Sequence, residues 1–198
     1  MKDTTHPMND HTTYDPTFLN EAEADELFQH CMEHLDFHHG EYNMYGKKVK
    51  TPCLMTCLAE EGFDPYKSRS YTAGTFTVFT ERIQMLRERV KARFGTAFKY
   101  CEGNLYRDGE DYIGAHRDKE CKAGQKVVAI SLGAARDFWI LENEYLKQRG
   151  RAKHRFMVSL EHGSLFVMDH HSSNVGGKHC LPKRNRVKKP RITHGFRE

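Results

Sequence analysis

Hydrophobic residues follow two different spacings along this chain. In the first half, Leu27, Cys31 and Leu35 recur at intervals of four residues, and they follow the capping-box sequence Asn20–Glu23. A capping box satisfies backbone N–H groups that the first turn of a helix leaves without partners. The pattern therefore predicts an amphipathic helix that ends near Asp36.

A second helical pattern comes just before the spacing changes. Ile83, Leu86 and Val90 mark a buried face that begins near Thr80, and Gly95 is typical of a helix end. Beyond Gly95 the period becomes two, and further apolar runs predict strands at 127–132, 138–141, 156–160 and 164–168. Strands that follow helices in this way favour an α+β fold, with a double-stranded β-helix (jelly-roll) core and the N-terminal helices packed outside it.

The length of 198 residues suits one domain. We divide it into a polar, disordered tail at 1–13, an N-terminal region with the helices at 14–94, and a jelly-roll core at 95–198. The sequence has neither a membrane-spanning run nor a signal peptide, and its six cysteines form no C-x-x-C pair. We expect free thiols in an intracellular protein, cytoplasmic or nuclear, that is monomeric and does not bind a membrane.

The net charge of +4 is unevenly distributed. No acidic residue lies between Asp169 and Glu198, whereas this stretch holds eight lysines and arginines. A stretch of one charge sign suits a polyanion, and we predict phosphate contacts for its central residues. These residues are Lys183, Arg184, Arg186, Lys188 and Lys189. The alternative is a solvated loop that only keeps the protein soluble.

Two His-x-Asp sequences are candidate metal ligands. His34 and Asp36 lie at a helix end, where side chains two positions apart point in nearly opposite directions. His116 and Asp118 lie in strand-period sequence, so both side chains face the same way. A third ligand must come from another strand, and the candidates are His162, His170, His171 and His179. Two imidazoles and one carboxylate suit non-haem iron, whereas zinc held by His170, His179 and Cys180 is the alternative metal site.

Two arginines share a strand face near the end of the chain. Arg191, Thr193, Gly195 and Arg197 alternate with the residues of the opposite face. Two guanidinium groups beside a glycine leave room for a small dicarboxylate, which arginine binds by paired hydrogen bonds. In the alternative interpretation, both arginines pair with surface carboxylates.

Six sequence blocks resemble the AlkB family of iron- and 2-oxoglutarate-dependent dioxygenases. They agree in order and spacing over about half the chain, and most closely with the eukaryotic members that repair alkylated DNA. The blocks are Asn104–Gly109, Ile113–Glu120, Ser131–Phe138, Gly163–Met168, His179–Pro182 and Pro190–Arg197. The resemblance implies Fe(II) as cofactor and 2-oxoglutarate as cosubstrate. It also implies a substrate lid within 14–94 and a catalytic role for the jelly-roll core at 95–198.

The same resemblance assigns roles to individual residues. It selects His179 as the third ligand beside His116 and Asp118. It implies that Arg191 holds the distal carboxylate of 2-oxoglutarate, and that Arg197 lies near the metal-bound end. Asn104, Tyr106 and Thr193 are the further cosubstrate residues. One departure stands out, because many family members have Asn-Leu-Thr where this chain has Thr193-His194-Gly195.

Two more residues are candidates for contact with a flipped base. Tyr71 resembles an aromatic residue of the family lid, and its alternative role is core packing. Glu120 follows the metal pair where relatives carry a substrate-facing carboxylate, and its alternative role is a surface salt bridge.

We therefore predict oxidative demethylation of N-alkylated bases in nucleic acid, either DNA or RNA. One alternative keeps the same chemistry but acts on a protein or a small molecule. Another is a basic jelly-roll module that binds nucleic acid without catalysis.

Overall fold

Two β-sheets and two helices make up the described part of the protein. The structure, a computed structural model, describes residues 6–44, 46–67, 75–143 and 155–198. The helices are α1 (Glu21–His34) and α2 (Glu81–Phe94). The strands are β1 (His6–Asn9), β2 (Thr12–Asp15), β3 (His38–Met44), β4 (Lys47–Ala59), β5 (Thr77–Val78), β6 (Tyr100–Tyr106), β7 (Ile113–His116), β8 (Lys126–Gly133), β9 (Arg136–Glu142), β10 (Arg155–Leu160), β11 (Leu165–Asp169), β12 (Gly177–Leu181) and β13 (Arg191–Arg197). A π-helical turn, His171–Val175, lies between β11 and β12.

Both helices begin and end where local sequence signals place them. At the start of α1, the Asn20 side chain accepts a hydrogen bond from the Glu23 backbone N–H, and the Glu23 carboxylate accepts one from the Asn20 N–H. α2 ends at Gly95, whose φ of 67° is left-handed and unstrained only for glycine. The two predicted helices are therefore confirmed. Neither helix is long and apolar enough to cross a membrane, and the same holds for every other helical segment that the structure describes.

The sheets form the two layers of a jelly roll. Among the described residues, the larger sheet has the strand order β1-β2-β11-β8-β13-β6-β4-β3, with β5 beside β4. The smaller sheet has the order β10-β9-β12-β7. Strands from distant parts of the sequence, such as β8 and β13, are antiparallel neighbours. This arrangement confirms the predicted double-sheet core.

The larger sheet has one face under the helices and one face toward the smaller sheet. Ile192, His194 and Phe196 of β13 are fully buried on the helix side. Arg191 and Arg197 alternate with them and line a cavity on the other side. The strand period of two thus separates the apolar core from the candidate site, as the sequence predicts.

The structure differs from the predicted divisions at the N-terminus. We predicted a disordered tail at 1–13, but β1 and β2 occupy residues 6–9 and 12–15, and residues 1–5 lie outside the described part. β2 pairs with β11 from Asp15 opposite Leu165 to Thr12 opposite Met168. Backbone hydrogen bonds to the edge of β11 stabilise this polar segment. The partner strand is about 150 residues away, so no local pattern signals it.

The predicted lid also contributes to the core. We assigned 14–94 to helices and a lid, yet β4 pairs with β6 from Leu54 opposite Leu105 to Ala59 opposite Tyr100. Met55 of β4 is buried among the side chains beside the cavity. The predicted boundary at residue 94 therefore separates in sequence two strands, β4 and β6, that belong to one hydrogen-bonded sheet.

Candidate active site

Three side chains converge at the open edge of the smaller sheet. His116 ends β7, and the antiparallel register of β7 with β12 places it directly opposite His179. Asp118 follows β7, and its backbone N–H donates a 2.9 Å hydrogen bond to the carbonyl of Ser173 in the π-helical turn. The register and this turn together bring His116 and Asp118 next to His179, which lies 63 and 61 positions further along the sequence.

The ligand atoms of the three side chains point toward one another. Asp118 Oδ1 lies 3.6 Å from His116 Nε2 and 3.7 Å from His179 Nε2. The three candidate ligand atoms all lie within 4.8 Å of one another, and no second such group of His, Cys, Asp or Glu occurs among the described residues. This geometry leaves space for one metal ion between the three side chains.

Neighbouring groups orient both imidazoles. His116 Nδ1 lies 2.9 Å from the carbonyl oxygen of Gly114, so Nδ1 carries the proton and Nε2 keeps its lone pair. The ring of Phe138 stacks against that of His179, with 5.5 Å between the centroids. Both rings are thus held with Nε2 facing the carboxylate.

The electrostatic environment favours metal binding. Burial alone would raise the pKa of Asp118, but the nearby Arg197 and His179 lower it well below its ordinary value. Burial, and then the neighbouring His179, lower the pKa of His116. At neutral pH the carboxylate is therefore anionic and the His116 imidazole is neutral. Two imidazole nitrogens and one carboxylate form a donor set that fits Fe(II) and leaves further coordination positions for other ligands.

The alternative metal residues are placed elsewhere. His34 lies at the end of α1 with its side chain 59% exposed, close to Glu33. His170 lies 2.7 Å from the carbonyl oxygen of Cys121, to which its Nδ1 donates. The zinc site of His170, His179 and Cys180 is not assembled within the described residues.

Arg191 lies at the floor of a cavity between the two sheets. Its side chain is 1% exposed and donates to the carbonyl of Leu160 at 3.0 Å and to Ser131 Oγ at 2.8 Å. Burial lowers its pKa to about 10, so the guanidinium stays charged at neutral pH. No carboxylate is among these partners, which argues against the surface-pairing alternative.

Several polar groups around Arg191 are oriented into the same cavity. Asn104 is opposite Thr193 in the β6–β13 register, and Tyr106 is opposite Arg191. Arg191 Nε and Thr193 Oγ1 are buried, and neither has a hydrogen-bond partner within the described residues. Buried polar atoms normally have partners, so these atoms fit a polar ligand. A charged guanidinium beside a hydroxyl and an amide fits one carboxylate of 2-oxoglutarate.

Arg197 lies at the opposite end of the cavity, next to the metal triad. Its Nη2 is 3.5 Å from Asp118 Oδ2, and its Nη1 is 2.9 Å from Glu102 Oε2. Burial would lower the pKa of Arg197, but Glu102 and Asp118 raise it well above its ordinary value. Glu120, with its side chain 31% exposed, lies 3.3 Å from Arg197 Nε. The carboxylate predicted to face a substrate base thus contacts this arginine.

The departure at Thr193-His194-Gly195 affects both faces of β13. His194 is on the helix side, where its Nε2 is 3.2 Å from Cys31 Sγ and its Nδ1 is 3.6 Å from Cys101 Sγ. Burial lowers its pKa to about 4, so the ring is neutral. A Cβ atom at position 103 would lie 3.3 Å from the His194 ring, whereas glycine has no Cβ and leaves room for the ring. His194 therefore packs in the core and does not line the cosubstrate cavity.

The basic segment 183–189 is an anchored turn. The Gly109 N–H donates to the Val187 carbonyl, and the Arg184 N–H donates to the Gly109 carbonyl. A Cβ atom at Gly109 would lie 1.7 Å from the Arg184 carbonyl oxygen, so only glycine fits this contact. Within the segment, Lys183 pairs with Glu110 at 3.1 Å and Arg184 pairs with Asp137.

The remaining cations of this segment, Arg186, Lys188 and Lys189, are exposed. Of the five predicted phosphate contacts, these three are therefore available on the surface, whereas Lys183 and Arg184 already have acidic partners. Tyr71 lies outside the described residues.

Three residues that the sequence analysis did not single out support the site. Arg136 is buried and donates to the carbonyls of Asp108, Asp111 and Pro182, which joins the loop after β6 to the end of β12. The other two are Phe138, which stacks against His179, and Glu102, which pairs with Arg197. Glu102 precedes Asn104 by two positions, so the strand period alone places it on the cavity face.

Comparisons with known proteins agree with this geometry. The family model described as the 2OG-Fe(II) oxygenase superfamily matches residues 11–197. The human protein named DNA oxidative demethylase ALKBH2 is 30% identical over 91% of this chain and 70% of its own length. The Bos taurus protein of the same name is also 30% identical to this chain, which spans 66% of that protein's length. An oxidoreductase of the 2OG-Fe(II) oxygenase family from Burkholderia pseudomallei shares the fold, with a TM-score of 0.59, 14% identity, and coverage of 94% of this chain and 84% of that one.

Proposed function

This chain belongs to the 2OG-Fe(II) oxygenase superfamily, in its AlkB-like branch, and we propose that it oxidatively demethylates N-alkylated bases in nucleic acid. Fe(II) is the cofactor of the family and 2-oxoglutarate is its cosubstrate. The observation that carries the proposal is the triad of His116, Asp118 and His179 at one end of a cavity whose floor is the buried guanidinium of Arg191. The two relatives named as DNA demethylases support the choice of a nucleic-acid substrate.

Each part of the cavity has a task in this reaction. We propose that the triad holds the iron, and that Arg191, with Ser131 fixing its orientation, holds the distal carboxylate of 2-oxoglutarate. Asn104, Tyr106 and Thr193 orient the cosubstrate between them. When bound, the iron and 2-oxoglutarate supply the oxidation: one oxygen atom of O₂ enters succinate as CO₂ leaves, and the other hydroxylates the N-methyl carbon. The hydroxymethyl group then leaves as formaldehyde, which frees the base nitrogen.

A base inside a duplex cannot reach this site without leaving the stack. Enzymes that modify such bases flip them out or act on unpaired strands. We propose that the exposed face of His116, 41% accessible, forms one wall of the base pocket. Contacts of Tyr71 and Glu120 with the base remain predictions. The monomeric state and the intracellular location of the protein also remain predictions.

The anchored basic segment favours a nucleic-acid substrate over a protein or a small-molecule substrate. Arg186, Lys188 and Lys189 are exposed on a turn that is hydrogen-bonded to Gly109, three residues after Tyr106 of the cosubstrate cavity. A fixed turn presents its charges with a smaller loss of conformational entropy on binding than a flexible loop would. Contacts of this kind position a strand through its phosphates and do not read its sequence.

One assay tests this function against its alternatives. Purified protein with Fe(II) and 2-oxoglutarate is given N-methylated oligonucleotides, as single- and double-stranded DNA and as RNA, together with unmethylated copies. We expect formaldehyde to form only with methylated strands, together with an equal amount of succinate above the slow uncoupled release that occurs without nucleic acid. Succinate without any dependence on the oligonucleotide would instead favour a protein or small-molecule substrate. Binding without turnover under all conditions would favour the non-catalytic module.

Charge reversal at Lys188 and Lys189 is expected to weaken binding to all sequences alike. Each lost phosphate contact lowers the slope of log K against log salt by about 0.9 for duplex DNA and about 0.7 for a single strand. The double change to Glu should therefore flatten the slope by roughly 1.4–1.8. The measurement is binding across a salt series, together with succinate release in the absence of nucleic acid, which should barely change.

A matched control changes the same total charge on another face. Arg82 and Lys91 are exposed on α2, which packs on the side of the larger sheet away from the cavity. Changing both to Glu should leave the salt slope near that of the unaltered protein. If both double variants change the slope equally, overall charge and not the anchored turn governs binding.

A further inference from the structure

Glu102 is a buried carboxylate whose role the proposed chemistry leaves open. It lies on the cavity face of β6 and is 6% exposed. The β6–β13 register places it directly opposite Gly195, and its Oε2 is 2.9 Å from Arg197 Nη1. A buried carboxylate is costly unless it is paired, so this contact with Arg197 compensates its desolvation.

Gly195 leaves the space in which this pair forms. A Cβ atom at position 195 would lie 2.9 Å from Arg197 Nη1, closer than normal packing allows. The unusual glycine and the buried Glu102 face each other across the same strand pair. They therefore form one local arrangement that directs the Arg197 side chain.

Arg197 also faces the metal-ligand carboxylate. Its Nη2 is 3.5 Å from Asp118 Oδ2, a longer separation than its 2.9 Å contact with Glu102. The other oxygen, Asp118 Oδ1, faces both histidine Nε2 atoms. A guanidinium binds a carboxylate best in a bidentate pair that uses both oxygens. Such a pair with Asp118 would compete with a metal ion for Oδ1.

We propose that Glu102 is a positioning residue that holds Arg197 away from a bidentate pair with Asp118, so that Oδ1 stays free for the metal. The inference rests on the proposed iron-dependent function. In this proposal Glu102 acts through Arg197 and is not one of the three metal ligands. Arg197 Nη1 also donates to the Gly195 carbonyl at 3.1 Å, and Nε lies 3.3 Å from Glu120, but Glu102 is its closest carboxylate. Loss of this carboxylate lets the guanidinium shift toward Asp118 and weakens metal binding.

The test measures metal affinity directly. Metal-free protein is titrated with Mn²⁺, a redox-inert substitute for Fe(II), and free Mn²⁺ is followed by electron paramagnetic resonance. Glu102→Ala should raise the Mn²⁺ dissociation constant at least tenfold. Glu102→Gln should give a smaller increase, because its amide oxygen still accepts a hydrogen bond from Arg197. Glu61→Gln, at an exposed position in a turn, is the matched control and should leave the affinity unchanged.

A double-variant comparison separates positioning from a direct effect of charge. In an Arg197→Met background, Glu102→Gln should change the Mn²⁺ affinity less than about twofold, because the group through which Glu102 acts is gone. An equal loss in both backgrounds would overturn the proposal, since Glu102 would then attract the cation by its own charge. Unchanged Mn²⁺ affinity in Glu102→Ala and Glu102→Gln, in protein shown by its melting curve to be folded, would overturn it as well.

These outcomes are independent of the proposed substrate. Mn²⁺ binding needs no nucleic acid and no turnover, whereas the demethylation assay uses the unaltered protein. Failure of the assay with normal metal affinity would count against the substrate and not against the role of Glu102.

Discussion

Replacing His179 with alanine is expected to abolish turnover while the fold stays intact. The change removes one of three proposed ligands, and its ring packs between Phe138 and His116 at the edge of the smaller sheet. Two remaining ligands bind a divalent ion too weakly to retain it at ordinary concentrations. Succinate release should fall to the background level of metal-free protein. The melting temperature, measured without metal, should fall only by the few degrees expected for a lost ring contact.

The control for this variant is the other His-x-Asp sequence. His34→Ala removes an exposed imidazole from the end of α1 and should leave turnover unchanged. Comparing turnover in the two variants distinguishes the effect of losing a metal ligand from the effect of losing a histidine elsewhere in the protein. Undiminished turnover in His179→Ala would mean that the metal is held by other residues.

Replacing Arg191 with alanine is expected to raise the 2-oxoglutarate requirement at least tenfold. The guanidinium is buried and charged, and its Nε lies beside the cavity with no hydrogen-bond partner among the residues that the structure describes. Removal of one partner from a buried, charge-assisted pair typically costs about 2–5 kcal/mol. The readout is the KM for 2-oxoglutarate from succinate release at saturating iron.

Two comparisons make the Arg191 result interpretable. Arg186→Ala removes an exposed guanidinium from the basic segment and should leave the KM for 2-oxoglutarate unchanged. Mn²⁺ affinity of Arg191→Ala should also be normal, because Arg191 lies at the opposite end of the cavity from Asp118. If the KM is unchanged and only nucleic-acid binding weakens, Arg191 belongs to the substrate surface.

Features that depend on neighbouring residues could be predicted from the sequence. The capping box of α1 and the left-handed end of α2 involve atoms within four positions of each other. The strand period likewise places Arg191 and Arg197 on one face and His194 on the other. Local backbone geometry determines these features, so spacing alone is enough to find them.

The third member of the triad depends on strand pairing. Spacing left four histidines open, and the family resemblance selected His179 among them. In the structure, the register of β7 with β12 places His179 opposite His116. Register is a property of two strands far apart in the sequence, and no pattern within one strand specifies it.

The tertiary structure also decided how the charged residues are used. In the sequence, the basic segment 183–189 is a run of similar cations. In the structure, Lys183 and Arg184 form ion pairs with Glu110 and Asp137, and hydrogen bonds to Gly109 anchor the backbone of the segment. Glu102 could be placed on the cavity face by its period, yet its contact with Arg197 forms only because β6 pairs with β13, where Gly195 leaves space for the Arg197 side chain. The sequence alone determined the two helices, the faces of β13 and the residue types of the metal site, whereas β1 and β2 could not be found from local spacing. Which carboxylate meets which cation was decided by packing, because the strength of an ion pair depends on distance and burial, and both arise only when distant strands come together.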